Sequence, residues 1–334
     1  MQTVARLPKE EKRGQGLDRR PAVLMASPIG GFLGASLPVT PVQRNVFSLL
    51  LFLVSSLAFF KPLEALWSFA LREESFSHVV LIPLVVGYLL VVKRASILTS
   101  KEWSPALGLS LVTIGAISYW ATSSQAWTPD RLAMVMAALV VTWWGLFLLS
   151  FGLRSFRQNL FALAFLLFMI PLPSFALDTI IGFLQQSSAE AATVLFSALG
   201  IPVFRQGFIF SLSHFTIHVA EECSGIRSFF SLLITSLIAG YWFLRSGWSR
   251  AALAGIVVPL AIIKNAFRIV GLALLANYID PAFITNSPLH RSGGIPLFAL
   301  SLVALAGIVW VLRRGELRWL ELPSQDSGKG RPIT

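Results

Sequence analysis

Three residues suited to acyl-transfer chemistry lie far apart in this 334-residue chain: a thiol at Cys223, a guanidinium at Arg268 and an imidazole at His290. Cys223 is the sole cysteine, so it can form no internal disulfide and no multi-cysteine metal site. It lies in A-E-E-C-S-G-I-R-S. Ser224 and Gly225 follow it where a helix should start, and free backbone N–H groups at such a start lower a thiol pKa and can hold an oxyanion. Arg227 adds positive potential; Glu221 and Glu222 oppose it if they face the sulfur. His290, in L-H-R-S-G-G, could take the thiol proton and return it to a leaving amine. Gly293 and Gly294 would let the backbone there approach a substrate closely.

Each residue alone has a plainer reading. A lone membrane cysteine is usually a small apolar filler. A lone histidine in a loop is usually interfacial, and an arginine near a span end can snorkel to head groups. Arg268, however, follows Lys264 and Asn265 by four and three residues in K-N-A-F-R-I-V, on much the same helix face. Three strongly polar residues on one face point to a polar cleft rather than to lipid. His78 is a second-tier candidate for a site wall. His214 and His218 have H-x-x-x-H spacing, but their segment reads as extended, which would put the rings about 13 Å apart, so they are structural. No HExxH, G-x-S-x-G or P-loop is present, and no cofactor or metal is expected.

The elements that must position these groups follow from composition. Apolar residues make up 55% and charged residues 13% of the chain, against about one-quarter charged in soluble domains. Mean hydropathy is +0.72. These values exclude a disordered chain, a disulfide scaffold and a soluble nucleic-acid binder, and they predict an all-α polytopic membrane protein. Eight apolar segments follow the amino-terminal stretch: Val46–Phe60, Val79–Val92, Pro105–Ala121, Leu132–Phe151, Leu160–Leu177, Ser228–Leu244, Ala251–Tyr278 and Ile295–Leu312. Pro171 and Pro173 predict a kink or early end in the fifth. With the amino terminus inside, 19 of the 27 Lys and Arg lie on the inner side, so the positive-inside rule gives both termini in the cytoplasm.

Residues 1–44 then read as a basic, largely disordered cytoplasmic tail, 45–314 as the transmembrane domain and 315–334 as a second cytoplasmic tail. Between Asp178 and Arg227, Ile180, Leu184, Ala191, Val194, Leu195 and Ala198 recur at helical spacing, which predicts an amphipathic interfacial helix stopped at Gly200. The β-branched and aromatic runs of Ile201–Ala220 predict a short outer hairpin. In this topology Arg268 lies 17 residues, about 26 Å, along the seventh span from Ala251, near the outer edge of the hydrocarbon. Cys223 and His290 flank spans six and eight at the same side, so all three groups meet one plane.

At these residues the chain resembles the exosortase/archaeosortase family of multi-pass membrane transpeptidases. The matching pieces are S-H-V-V-L-I-P, F-L-L-F-M-I-P-L-P, G-I-P-V-F-R-Q-G, V-A-E-E-C-S-G-I-R-S-F, N-A-F-R-I-V and L-H-R-S-G-G, in order over roughly Asn45 to Arg314. The resemblance implies a catalytic Cys/Arg/His set at Cys223, Arg268 and His290, with Asn265, Arg227, Ser224 and Gly225 in support. It implies exported protein substrates that end in a short motif such as Pro-Glu-Pro, a transmembrane helix and a basic cluster. The acceptor would be a glycan, a lipid or water. The implied location is a bacterial or archaeal cytoplasmic (inner) membrane with an outward-facing site, contacting lipid and no nucleic acid. The residues themselves also admit a transporter or exporter of an anionic solute such as a polysaccharide precursor, in which Cys223 would be dispensable, or a scaffold for an export complex.

Overall fold

A capping box sets the first helix. The Thr40 hydroxyl accepts from Gln43 N (3.3 Å), and the Gln43 side chain accepts from Thr40 N (3.1 Å). The computed structural model describes residues 35–36, 40–72, 74–100, 102–122, 127–213, 216–219, 224–279 and 294–321. Within them α1 (Pro41–Ala58) bends by 67° into α2 (Phe60–Arg72). A 3-10 turn (Glu74–Leu81) leads into α3 (Ile82–Val92), and the short α4 (Arg94–Leu98) follows. The two-residue strands β1 (Ala35–Ser36) and β2 (Glu102–Trp103) pair antiparallel ahead of α5 (Pro105–Thr122) and α6 (Pro129–Gln158).

The helix α7 (Leu160–Phe165) runs on as a 3-10 turn (Leu166–Met169) and breaks at the expected prolines. The next helix, α8 (Ser174–Ala198), leaves at 90°. Three short antiparallel strands follow, β3 (Phe204–Gln206), β4 (Ile209–Ser211) and β5 (Thr216–His218), in that spatial order. The expected hairpin therefore carries a third strand. The helices α9 (Ile226–Phe243), α10 (Gly247–Tyr278) and α11 (Gly294–Glu321) complete the described fold.

Seven of the eight apolar segments read from the sequence lie essentially on helices, and the fifth, Leu160–Leu177, is broken between its 3-10 turn and α8. Among the described residues five helices are long and apolar enough to cross a bilayer, or up to seven segments if each bent pair is one span, and His78–Val92 is a further, shorter apolar helix. The chain is a polytopic all-α membrane protein. Leu49, Leu53 and Leu57 of α1 are exposed, as lipid-facing side chains can be. The helix α1 starts at Pro41, ahead of the expected boundary at 45. Arg44 is buried and donates to the carbonyls of Leu98 (2.7 Å) and Ser100, so it braces α1 against the loop before β2.

Backbone contact, not side-chain bulk, holds α5 to α6. A Cβ on Gly145 would stand 2.7 Å from both Gly108 O and Val112 N, and one on Gly108 would stand 2.7 Å from Leu149 N. Small residues that let helices approach this closely are the main packing device inside lipid, where burial of apolar surface drives nothing. The two carboxylates Asp130 and Glu316 fasten helix starts elsewhere. Asp130 of α6 accepts from Ser174 N (2.6 Å) at the start of α8, whose own N-cap, Pro173, offers no side chain to do so. Glu316 of α11 accepts from Arg245 N and Ser246 N, both 2.9 Å, at the start of α10.

The buried stripe of α8 shares Leu184 with the expected face, and Ile180, Ala191 and Leu195 of that face also pack against the core. Leu184, Gln185, Ser188, Ala189, Ala192 and Phe196 are buried, whereas Val194 is 68% exposed. Ala189, Ala192 and Phe196 pack with Ala266, Ile269, Val270 and Ala273 of α10 and with Phe210, Leu212 and Val219 from the sheet region. Leu184 joins Ile226, Phe230 and Ile262. This one stripe ties α8, the sheet, α9 and α10 into a single unit.

Candidate active site

The segment before α9 is anchored from two directions. At the end of β5, Val219 N donates to Phe208 O (2.9 Å), and Gln185 of α8 donates its amide to Val219 O (2.6 Å). Cys223 lies outside the described residues, as do Glu221, Glu222, His214 and His290. The description resumes at Ser224, the residue covalently next to Cys223, which is 2% exposed.

Gly225 is the N-cap of α9 and adopts φ +81°, ψ 12°, the left-handed region that glycine enters without steric cost. It also sits against α10: a Cβ there would stand 3.2 Å from both Cγ and Oδ1 of Asn265. Asn265 is 1% exposed. Gly225 at the start of α9 and Asn265 of α10, forty positions apart in sequence, are thus in contact. Arg268 is half-buried one turn further along α10. Arg227 is exposed on the first turn of α9.

Below Gly225 a hydrogen-bonded chain crosses between the two helices. The Gly225 carbonyl accepts from Phe229 N (3.0 Å) and from Ser228 Oγ (2.8 Å). Ser228 Oγ in turn accepts from Lys264 Nζ. Lys264 is 6% exposed, and buried ammonium groups inside membrane spans are costly unless held by partners. Lys264 and Arg268 stand one turn apart on α10, and Arg227 stands on the first turn of α9.

His78 stacks on Phe230 of α9, with ring centroids 4.9 Å apart and planes at 17°. The two rings wall a largely apolar cavity of about 450 Å³ together with Phe76, Phe165 and Phe168. His218 is exposed on the edge strand β5. Among the described residues no three His, Cys, Asp or Glu side chains gather into a metal-holding group.

The structure therefore brings together Ser224, Gly225, Asn265 and, one turn on, Arg268. Ser228 and Gln185 were not singled out from the sequence. Ser228 gave no signal in the sequence, because a serine two residues into a span usually bonds its own helix and its second partner, Lys264, comes from α10. Gln185 gave none either, because its partner is a backbone carbonyl 34 residues away.

A family model described as "Transmembrane exosortase" matches residues 67–307, well over half of the chain. The matched range includes His78, Cys223, Asn265, Arg268 and His290. Comparisons with curated proteins and with solved structures return no match.

Proposed function

The chain belongs to the transmembrane exosortase family, a membrane peptidase and transpeptidase family that processes sorting signals, and on that premise we propose that it cleaves the C-terminal sorting signals of exported proteins through a cysteine thioester. The site faces outward from a cytoplasmic membrane with both chain termini inside, so a substrate helix with its basic end in the cytoplasm brings its motif to the site's depth. The Cys223 thiolate attacks the motif carbonyl, and the tetrahedral oxyanion is met by the backbone N–H groups at the start of α9 and by Arg268. As the C–N bond breaks, His290 gives the leaving amine the proton it took from the thiol. An acceptor amine or hydroxyl, or water, then attacks the thioester, loses its proton to His290 and returns the free thiol.

The observation that supports this reading is the contact of Gly225 with Asn265. It sets the residue two positions after Cys223 against the helix turn that carries Arg268. Asn265 holds the turn, and Ser224 and Arg227 complete its surroundings. Cys223→Ala, Arg268→Ala and His290→Ala should each abolish processing of an exported reporter protein that ends in a motif, an apolar helix and a basic cluster, while the chain still inserts. Native processing by Cys223→Ala would overturn the reading; flux of an anionic solute lost in Arg268→Ala but kept in Cys223→Ala would replace it with the transporter.

A further inference from the structure

The reaction just described leaves one charged group without a task. Lys264 lies one turn before Arg268 on α10, is almost fully buried, and donates its ammonium to the hydroxyl of Ser228. An ammonium sunk this far among helices is not snorkelling to a head group, because its tip is bonded to the neighbouring helix. Ser228 passes the contact on: its own hydroxyl proton goes to the Gly225 carbonyl, 2.8 Å away. Gly225 is the residue whose left-handed backbone starts α9 and whose Cα faces Asn265. Lys264 and Asn265 are consecutive on α10, so two adjacent side chains grip the same turn, one through Ser228 and one by direct packing.

The N–H groups of that turn are the ones free to meet an anion, since the first four N–H groups of a helix have no intrahelical partner. Their direction is fixed only as well as the peptide planes on either side of Gly225 are fixed. Glycine at a helix start is the residue least able to fix them itself. Within α9 the Gly225 carbonyl is held by Phe229 N and Ser228 Oγ; the Lys264–Ser228 link adds a constraint from the neighbouring helix, and it brings a positive charge with it.

We propose that Lys264 is a positioning residue for Cys223: through Ser228 it fixes the Gly225 turn and so sets the reactivity of the thiol that precedes that turn. This rests on the thiol reading of the site. The role is distinct from that of Arg268, which meets the reacting atoms. It also predicts that Ser228 and Lys264 act as one unit.

The test uses the full-length protein in lipid nanodiscs and iodoacetamide as the probe. Cys223 is the sole cysteine, so alkylation reports on it alone. The rate constant at neutral pH should fall about tenfold in Lys264→Met and by a similar factor in Ser228→Ala. The double variant should be no slower than the slower single, and Lys264→Arg should recover to within about threefold of the native rate. Ser228→Ala removes one hydroxyl and keeps the helix, so it carries the test if Lys264→Met inserts poorly. A role in packing alone would loosen the turn and speed alkylation. Native or faster alkylation in Ser228→Ala, or single effects that multiply in the double variant, would overturn the proposal. Failure of the peptidase reading is seen separately, as reporter processing that survives Cys223→Ala.

Discussion

Asn265 of α10 covers the left-handed turn at Gly225 so closely that a side-chain carbon on the glycine would stand 3.2 Å from it. Two costs then fall on one substitution. A non-glycine residue at φ +81° carries strain of about 1–3 kcal/mol, and its Cβ presses on a fully buried amide that must give way slightly. Gly225→Ala should therefore insert, unfold at lower temperature and lose at least ten-fold in reporter processing. Processing at the native rate would show that this turn does not position the reacting groups.

The α5–α6 pair gives a stability prediction away from the site. Gly145→Val places carbon where Gly108 O and Val112 N already stand at 2.7 Å, so the helices must separate. Overpacking of this kind costs about 1–3 kcal/mol. Gly182→Ala on α8, with nothing within 4 Å of the added carbon, serves as the control and should be neutral or stabilising by up to about 1 kcal/mol. Thermal unfolding of the two variants in matched detergent should rank them in that order.

Asp130 serves two helix starts at once, as an acid in the first turn of α6 and as acceptor for Ser174 N at the head of α8. Asp130→Ala should cost about 1 kcal/mol, and Asp130→Asn less, because the amide keeps an acceptor oxygen. Hydrogen exchange at the first turn of α8 checks this: it should quicken in the alanine variant and not at the start of α9.

Much of the architecture was legible because lipid imposes simple rules. Among the described residues the eight apolar runs lie mainly on helices, and Pro171 and Pro173 broke α7 from α8. The face of α8 was less legible for the same physical reason. Sequence reading seeks a bulky apolar stripe, and so takes in Val194, which is 68% exposed. In a membrane protein a bulky apolar side chain needs no protein cover, while Ala189 and Ala192 are what let α8 approach α10. Arg44 misled in the opposite direction: it reads as the last charge of a tail, yet it is buried against carbonyls contributed by residues more than fifty positions away.

At the site, Arg268 and Asn265 could be chosen from the sequence because polar groups in apolar helices are conspicuous, and Gly225 because it follows Cys223 where a helix should start. The contact of Asn265 with Gly225 could not, since the register of α9 against α10 depends on packing distributed over both helices. Ser228 was invisible for a related reason: a serine in a span usually bonds its own helix, and only the arrival of Lys264 from α10 gives this one a second partner.

The most direct measurement is covalent capture. The full-length chain in nanodiscs is mixed with an exported reporter that ends in a motif, an apolar helix and a basic cluster, and quenched rapidly under denaturing conditions. The account predicts an adduct of chain and reporter that hydroxylamine releases and that Cys223→Ala does not form. Processing of the reporter at the native rate by Cys223→Ala, with no hydroxylamine-sensitive adduct on the native chain, would contradict it.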